Sequence, residues 1–405
     1  MIDYDTLFRA NLPAAAVKYN GFPKYNFVGG HNDASSIPVD DIVAAASKVL
    51  KREAATLATY GLESGPQGYL PLREFLVKKL AKDAGITCTV DDILITSGSL
   101  QGLDLVNQML LDKGDTIIME QATYGGSISR VKKFGVNIVE APLDNHGIDI
   151  DALGKILADL KAKGVRPKYV YTIPTIQNPT ASILPLDRRH ALIKLCESYG
   201  VPIFEDECYS DLVWSGERPQ ALRGIAGDDR VIHIGSFSKS IAPALRLGYV
   251  VASWPVMSRL LALKSDAGTG AIEQMIMAEY CNGRFDDHVV KLRKVLKRKL
   301  DVLTESLAAS FGTAAEFEPS EGGIFLWVKL PDAVDTTKLF QVAGKEGVAI
   351  NPGAEWSVDP KHGQSRLRIC FANPSEQTIR DGVAKLAEIC NREFGVPTRI
   401  ANVGR

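Results

Sequence analysis

The chain has 405 residues, 45% of them hydrophobic and 23% charged, with a formal net charge of −1. That length exceeds what one compact domain usually holds, and the composition is globular rather than disordered or fibrous. Near-neutrality gives no bulk field to recruit nucleic acid or an anionic membrane. Six scattered cysteines form no CxxC pair and no zinc pattern, residues 1–20 lack the apolar core of a signal peptide, and no uncharged apolar run reaches the ~20 residues of a membrane span. The expectation is a soluble protein of the reducing cytoplasm, with no metal site.

Residues 1–26 show no strong period and read as an arm and loop. From 40 to about 80 the apolar spacing is helical, broken at 60–68 by the segment YGLESGPQG. A short apolar run at 93–96 leads through Ser-Gly-Ser into Leu100, Leu103, Val106 and Leu110 at helical spacing. Runs at 116–120, 137–140 and 168–173 read as strands. A helix follows, with Asp187 as its N-cap and Gly200 just past its end. Residues 202–206, 231–235 and 247–252 are further strands. Such alternation predicts an α/β fold with a mostly parallel sheet covered by helices on both faces. Ligands in such sheets sit beyond the carboxyl ends of the strands.

From about 286 the character changes. Leu292, Val295, Leu296, Leu300 and Leu303 predict one long helix over 289–307. Its basic residues (Lys291, Arg293, Lys294, Lys297, Arg298, Lys299) suit either a polyanion or water, and the neutral total charge favours water. Strands at 324–329 and 366–371 and a closing helix at 375–392 suggest a smaller α+β domain. The expected division is an arm with a small-domain segment (1–39), a large α/β domain (40–285) and a small C-terminal domain (286–405).

Chemistry concentrates just past the strands. Lys239 follows a strand, flanked by the hydroxyls of Ser236 and Ser238, with Arg246 seven residues on. An amine for a Schiff base, with hydroxyls and a bidentate guanidinium for a phosphate dianion, is what pyridoxal phosphate requires. The plain alternative is a polar loop with a solvated lysine. Asp206 closes another strand, where a carboxylate would pair with the cofactor's pyridine nitrogen and keep it protonated. Asn178, within TIPTIQNPT, and Tyr209 are placed to donate hydrogen bonds to its phenolate oxygen, although Asn-Pro is also a common turn dipeptide.

In this order the segments resemble the fold-type I, class I/II pyridoxal-phosphate-dependent aminotransferases, over about residues 25–395. Tyr60-Gly61 through Gly68-Tyr69-Leu70-Pro71-Leu72-Arg73 is similar to that family's Y-G-x-x-x-G…L-R segment. Thr96-Ser97-Gly98-Ser99 resembles its phosphate loop, which implies cofactor contacts from Gly98, Ser99 and Leu100 at a helix N-terminus. Tyr124 matches the aromatic residue stacked on the cofactor ring. Residues 319–327, 347–348 and 352–353 match the small domain. Arg368, in Leu367-Arg-Ile-Cys-Phe-Ala372, matches the arginine for the substrate carboxylate, and Gly30 the glycine pair beside the substrate. Arg366 shares a strand face with Arg368, so alternation does not choose between them.

Three positions depart from the family pattern. Leu100 stands where members similar to aminoadipate aminotransferases often have Gln, and Ala122 replaces a frequent proline. His31-Asn32-Asp33 follows the glycine pair in place of Leu-Pro, so His31 is either a substrate contact or a surface residue. The resemblance implies ping-pong transamination, with Lys239 as Schiff-base lysine and proton carrier, Asp206 and Tyr209 tuning the cofactor, and Asn178 serving both cofactor and substrate. It also implies a homodimer with shared active sites, to which Tyr60 reaches from the partner subunit. A lyase or other Cα chemistry on the same fold is the alternative. A ligand-sensing transcription regulator is a further one, for whose N-terminal DNA-binding module residues 1–25 leave no room. The expected donors are aromatic or large aliphatic amino acids, with 2-oxoglutarate or pyruvate as acceptor. 2-Aminoadipate is the runner-up, since no second arginine is evident for a distal carboxylate unless Arg9, Lys18 or Lys24 supplies a cation.

Overall fold

In this computed structural model the described residues are 2–8, 12, 15, 16 and 18–397. A seven-stranded sheet runs in the order Ile93–Ser97, Leu247–Val251, Val231–Ser236, Ile203–Asp206, Val170–Thr172, Thr116–Glu120, Asn137–Ala141. Leu247–Val251 is antiparallel to both neighbours, and every other pairing is parallel. The strands read as apolar runs because both faces are covered: Ile93, Leu94, Ile117, Ile118, Val231 and Val250 are all fully buried. Helices such as Ser99–Leu110 and Leu186–Ser198 make the crossovers. Leu186–Ser198 starts after Pro185, and Asp187 lies inside its first turn rather than capping it. There the carboxylate faces the positive end of the helix. Gly200 does follow the helix, at φ +62°.

A second core forms around the antiparallel strands Phe325–Lys329, Arg366–Cys370 and Asn351–Pro352, with helices Thr336–Lys345 and Glu376–Phe394. The helix expected over 289–307 is part of a much longer one, Ala271–Phe311, interrupted at Asn282 and Gly283. Gly283 has φ +97°, a conformation glycine adopts without a Cβ penalty. Before the break, Met275, Met277 and Tyr280 pack with Leu72 and Leu76. After it, Leu292, Leu296 and Leu300 pack with Phe325, Ile369 and Val383. Lys299 is not solvated: its ammonium is buried between Asp33 Oδ1, at 2.7 Å, and the Ala372 carbonyl, at 2.6 Å.

The N-terminal stretch is not all loop. Tyr25–Asn26 forms a short parallel strand beside Val348–Ala349, and Phe27 is fully buried. In the glycine-rich segment the buried Arg73 guanidinium donates to the carbonyls of Gly68, Val90 and Ser64 at 3.0, 2.8 and 2.7 Å. Leu62 and Glu63, just before the anchored Ser64 carbonyl, adopt left-handed conformations, at φ 51° and 56°. Tyr60 is 90% exposed. Among the described residues no helix is long and apolar enough to cross a membrane.

Candidate active site

The carboxyl ends of the parallel strands deliver Asp206 and Ser236, and the segments that follow deliver Asn178, Tyr209, Ser238 and Lys239. These six line one cavity of about 290 Å³. Gly30, Ser99, Leu100, Tyr124, Arg246 and Arg368 line it too. Of the residues singled out in the sequence, Gly98 does not line the cavity and Tyr60 is exposed at the surface.

Lys239 Nζ donates to the Gly30 carbonyl at 2.8 Å. A Cβ on Gly30 would come within 2.3 Å of that nitrogen, so a side chain there would displace the amine from its present position. Asn32 fixes the lysine's main chain, its Nδ2 donating to the carbonyls of Lys239 (3.3 Å) and Ile241 (3.0 Å). Burial holds the Lys239 ammonium below its ordinary pKa, and the nearby Arg368 and Arg246 add to the effect. A larger neutral fraction makes the amine a better nucleophile and base.

Asp206 is buried, and burial pushes its pKa up against hydrogen bonds from Cys208 and Tyr171. The Cys208 amide donates to Oδ1 at 3.2 Å and the Tyr171 hydroxyl to Oδ2 at 2.7 Å. Tyr171 in turn accepts from Ser127 Oγ at 2.9 Å. A cation placed against this carboxylate would remove its desolvation penalty.

Asn178 bridges two groups. Its Nδ2 donates to Tyr209 Oη at 3.0 Å, and its Oδ1 accepts from Arg368 Nη1 at 3.0 Å. Arg368 is buried, with its guanidinium 3.6 Å from the Trp356 ring centre, and its Nε has no hydrogen-bond partner among the described residues. Stacking on the indole orients the fork while leaving its edge open for a carboxylate. Arg366, by contrast, lines a different cavity.

At the other end Arg246, at φ +53°, donates to the Pro243 carbonyl at 3.0 Å and sets Nη2 3.4 Å from the Ser97 carbonyl. A Cβ on Gly98 would lie 2.2 Å from that Nη2, so the glycine admits the guanidinium beside the N-terminus of helix Ser99–Leu110. The Ser238 amide donates to Ser236 Oγ at 3.0 Å, closing the turn before Lys239.

Buried polar groups brace these segments from behind. Glu120 accepts from Thr172 Oγ1 (2.6 Å) and Gln177 Nε2 (2.9 Å), which ties the Asn178 loop to the sheet. Arg189 donates to Pro174 and Leu184 carbonyls and to Thr175 Oγ1, all within 2.9 Å, and pairs with Glu207 at 3.4 Å.

Tyr171, Trp356, Cys208 and Asn32 are site residues that the sequence did not single out. Gln101, next to Leu100, does not line the cavity: its Oε1 accepts from the Ser97 amide at 2.8 Å. His31 is half-buried, edge-on to Phe22, and its pKa is lowered by burial and then by Lys239. Lys18 and Lys24 are exposed, with Lys24 over the Tyr25 ring, and Arg9 lies outside the described residues.

The donor set fits pyridoxal phosphate. Arg246, the serine hydroxyls and a helix N-terminus suit its phosphate, and a buried carboxylate suits its ring nitrogen. Asn178 and Tyr209 suit its phenolic oxygen, and Lys239 its aldehyde. Residues 26–386 match the family described as Aminotransferase class I and II. The aromatic-amino-acid aminotransferase 1 of Thermococcus litoralis is 32% identical over 91% of this chain and 88% of its own length. The crystal structure of the multiple substrate aminotransferase of Thermococcus profundus superposes with a TM-score of 0.89 at 32% identity, covering 97% of this chain and all of that one. LysN, the alpha-aminoadipate aminotransferase of Thermus thermophilus, solved with N-(5'-phosphopyridoxyl)-L-leucine, gives 0.83 at 29% identity over 90% of this chain and 92% of that one.

Proposed function

Since the chain belongs to the class I and II aminotransferases and is a fold-type I, pyridoxal-phosphate-dependent enzyme, we propose that it moves an amino group from an aromatic or large aliphatic L-amino acid to a 2-oxo acid by a ping-pong mechanism. The observation that carries this reading is Arg368, bonded to Asn178 and stacked on Trp356 in the cavity that holds Lys239 Nζ. Bound pyridoxal phosphate supplies an electron sink for the charge that develops at Cα. Lys239 would hold the cofactor covalently, and its freed amine would carry the proton away from Cα. Asp206, whose oxygens accept from Tyr171 and the Cys208 amide, would face the ring nitrogen, whose positive charge would favour the carboxylate form. Tyr124 would cover the ring, and Arg246 with Ser236, Ser238 and Ser99 would hold the phosphate. Arg368 fixes the substrate's α-carboxylate, which turns the Cα–H bond towards Lys239 and decides which bond breaks.

The side-chain preference follows from the walls. Among the described residues the cavity's cations are Lys239, Arg246 and Arg368, each already assigned a role, while Leu100, Leu103, Tyr124 and Trp356 are apolar or aromatic. Relatives named for aromatic amino acids and for 2-aminoadipate support this group of donors, with 2-aminoadipate second. The test is a panel of L-amino acids with 2-oxoglutarate or pyruvate, read by oxo-acid formation. Fastest turnover of an aromatic or large aliphatic donor supports the reading. Preference for 2-aminoadipate selects the runner-up, and elimination or decarboxylation without transamination defeats it.

The proposal includes a homodimer in which the exposed Tyr60 reaches the partner's phosphate site. The six free cysteines suit a reducing cytoplasm. The division into 1–39, 40–285 and 286–405 places its last boundary beside the break at Asn282 and Gly283.

A further inference from the structure

A second cavity, of about 470 Å³, lies between the segments at 121–122, 143–145 and 180–182 and the three-stranded sheet. That volume lies within the range of small-molecule sites. It is separate from the Lys239 cavity, although one of its walls, Trp327, stands opposite Arg368 in the sheet register.

Its charges are unevenly satisfied. Asp144 is held by both terminal nitrogens of Arg188, at 2.8 and 2.6 Å. Lys329 stands 3.6 Å from Asp332, and His362 Nδ1 meets Gln121 Nε2 at 2.8 Å. The Arg366 guanidinium has no hydrogen bond or ion pair to any described residue, although burial depresses its pKa, with Glu316 and Asp332 opposing from a distance. A partly desolvated guanidinium gains most from an acceptor, and its planar fork matches a carboxylate. Trp327, Phe317 and Leu143 offer apolar surface beside it. The exposed Glu316 and Glu318 also line the cavity; they oppose any anion there, so a single carboxylate must sit on Arg366 itself and a second would have no partner.

We propose that this cavity binds a small monocarboxylate with an apolar body, its carboxylate on Arg366 and its body against Trp327 and Phe317. The inference does not depend on which amino acid the enzyme prefers.

Titration of the cofactor-loaded enzyme with para-fluorobenzoate, followed by fluorine NMR and calorimetry, tests it. Arg368 also suits carboxylates, so wild-type enzyme should show two binding events, of which Arg368→Leu removes one. Arg366→Gln should weaken the remaining event by about tenfold or more, with the absorbance of the bound cofactor and the KM for the amino donor unchanged. If no event survives Arg368→Leu, or if the surviving event is indifferent to Arg366→Gln, the proposal is overturned.

Discussion

The Tyr171 hydroxyl donates to Asp206 Oδ2 across 2.7 Å, and its own acceptor position is filled by Ser127. Burial keeps the Tyr171 phenol protonated well beyond its ordinary range, so it remains a donor at any working pH. Asp206→Asn is therefore expected to bind the cofactor and lose most turnover. Tyr171→Phe should lose less, on the order of the 1.5–3 kcal/mol of a hydrogen bond to a charged group. Steady-state rates beside cofactor affinity, measured by equilibrium dialysis, separate these effects. Near-normal turnover in Asp206→Asn would assign the role elsewhere.

Lys239 is expected to be the lysine that borohydride labels in the loaded enzyme. Peptide mapping after reduction should find the pyridoxyl group on the peptide spanning 236–246. A label on another lysine would end the central assignment.

Arg368→Leu should raise KM for amino donors steeply while leaving the resting cofactor spectrum intact. The side chain is buried against Trp356 and Asn178, so the same change at Arg366 should leave KM close to wild type. Should Arg366→Leu alone reproduce the defect, the substrate carboxylate binds elsewhere.

Glu120 is expected to make stability depend on pH. Burial pushes its carboxyl from 4.5 up to about 7, against hydrogen bonds from Gln177, Thr172 and Ile173. A folded-state value above the unfolded one means that its contribution is fully present below the unfolded pKa and lost as pH rises through the folded one. The span is about 3 kcal/mol. Thermal midpoints of wild type and Glu120→Gln, taken from about pH 5 to pH 8, should diverge in slope, with wild type losing more as pH rises. Parallel curves would show that Glu120 does not titrate in that window.

Hybrid dimers test Tyr60. A Lys239→Ala chain paired with a Tyr60→Ala chain has one fully native site if the tyrosine acts across the interface, and none if it acts within its own subunit. The hybrid is expected to exceed the Tyr60→Ala homodimer in activity, given that this homodimer is itself impaired. Activity no higher than that homodimer's counts against shared sites.

The large sheet is legible in the sequence because its strands are apolar on both faces and end in chemically conspicuous residues. Asp206, Ser236 and Lys239 can be located by their place after such runs. Tyr171 cannot, because an aromatic inside a buried strand looks like core until the neighbouring strand shows where its hydroxyl goes. Trp356 ends a short turn, Gly353–Trp356, that has no periodicity to announce it. The long helix reads as a shorter one because Gly283 imitates a terminus and because its first half buries the polar Gln274 among apolar neighbours. Arg366 and Arg368 are indistinguishable by alternation, and only the partners Asn178 and Trp356 separate them.

Asn32 links the Gly29-Gly30 segment to the main chain that carries Lys239. Its amide grips the carbonyls of Lys239 and Ile241, and its own carbonyl is held by Asn373 at 3.0 Å. The segment that follows Gly30 is thereby tied to the backbone from which the Lys239 side chain extends. The lysine nitrogen and the segment beside it thus share one hydrogen-bonded frame, anchored at its far end by Asn373.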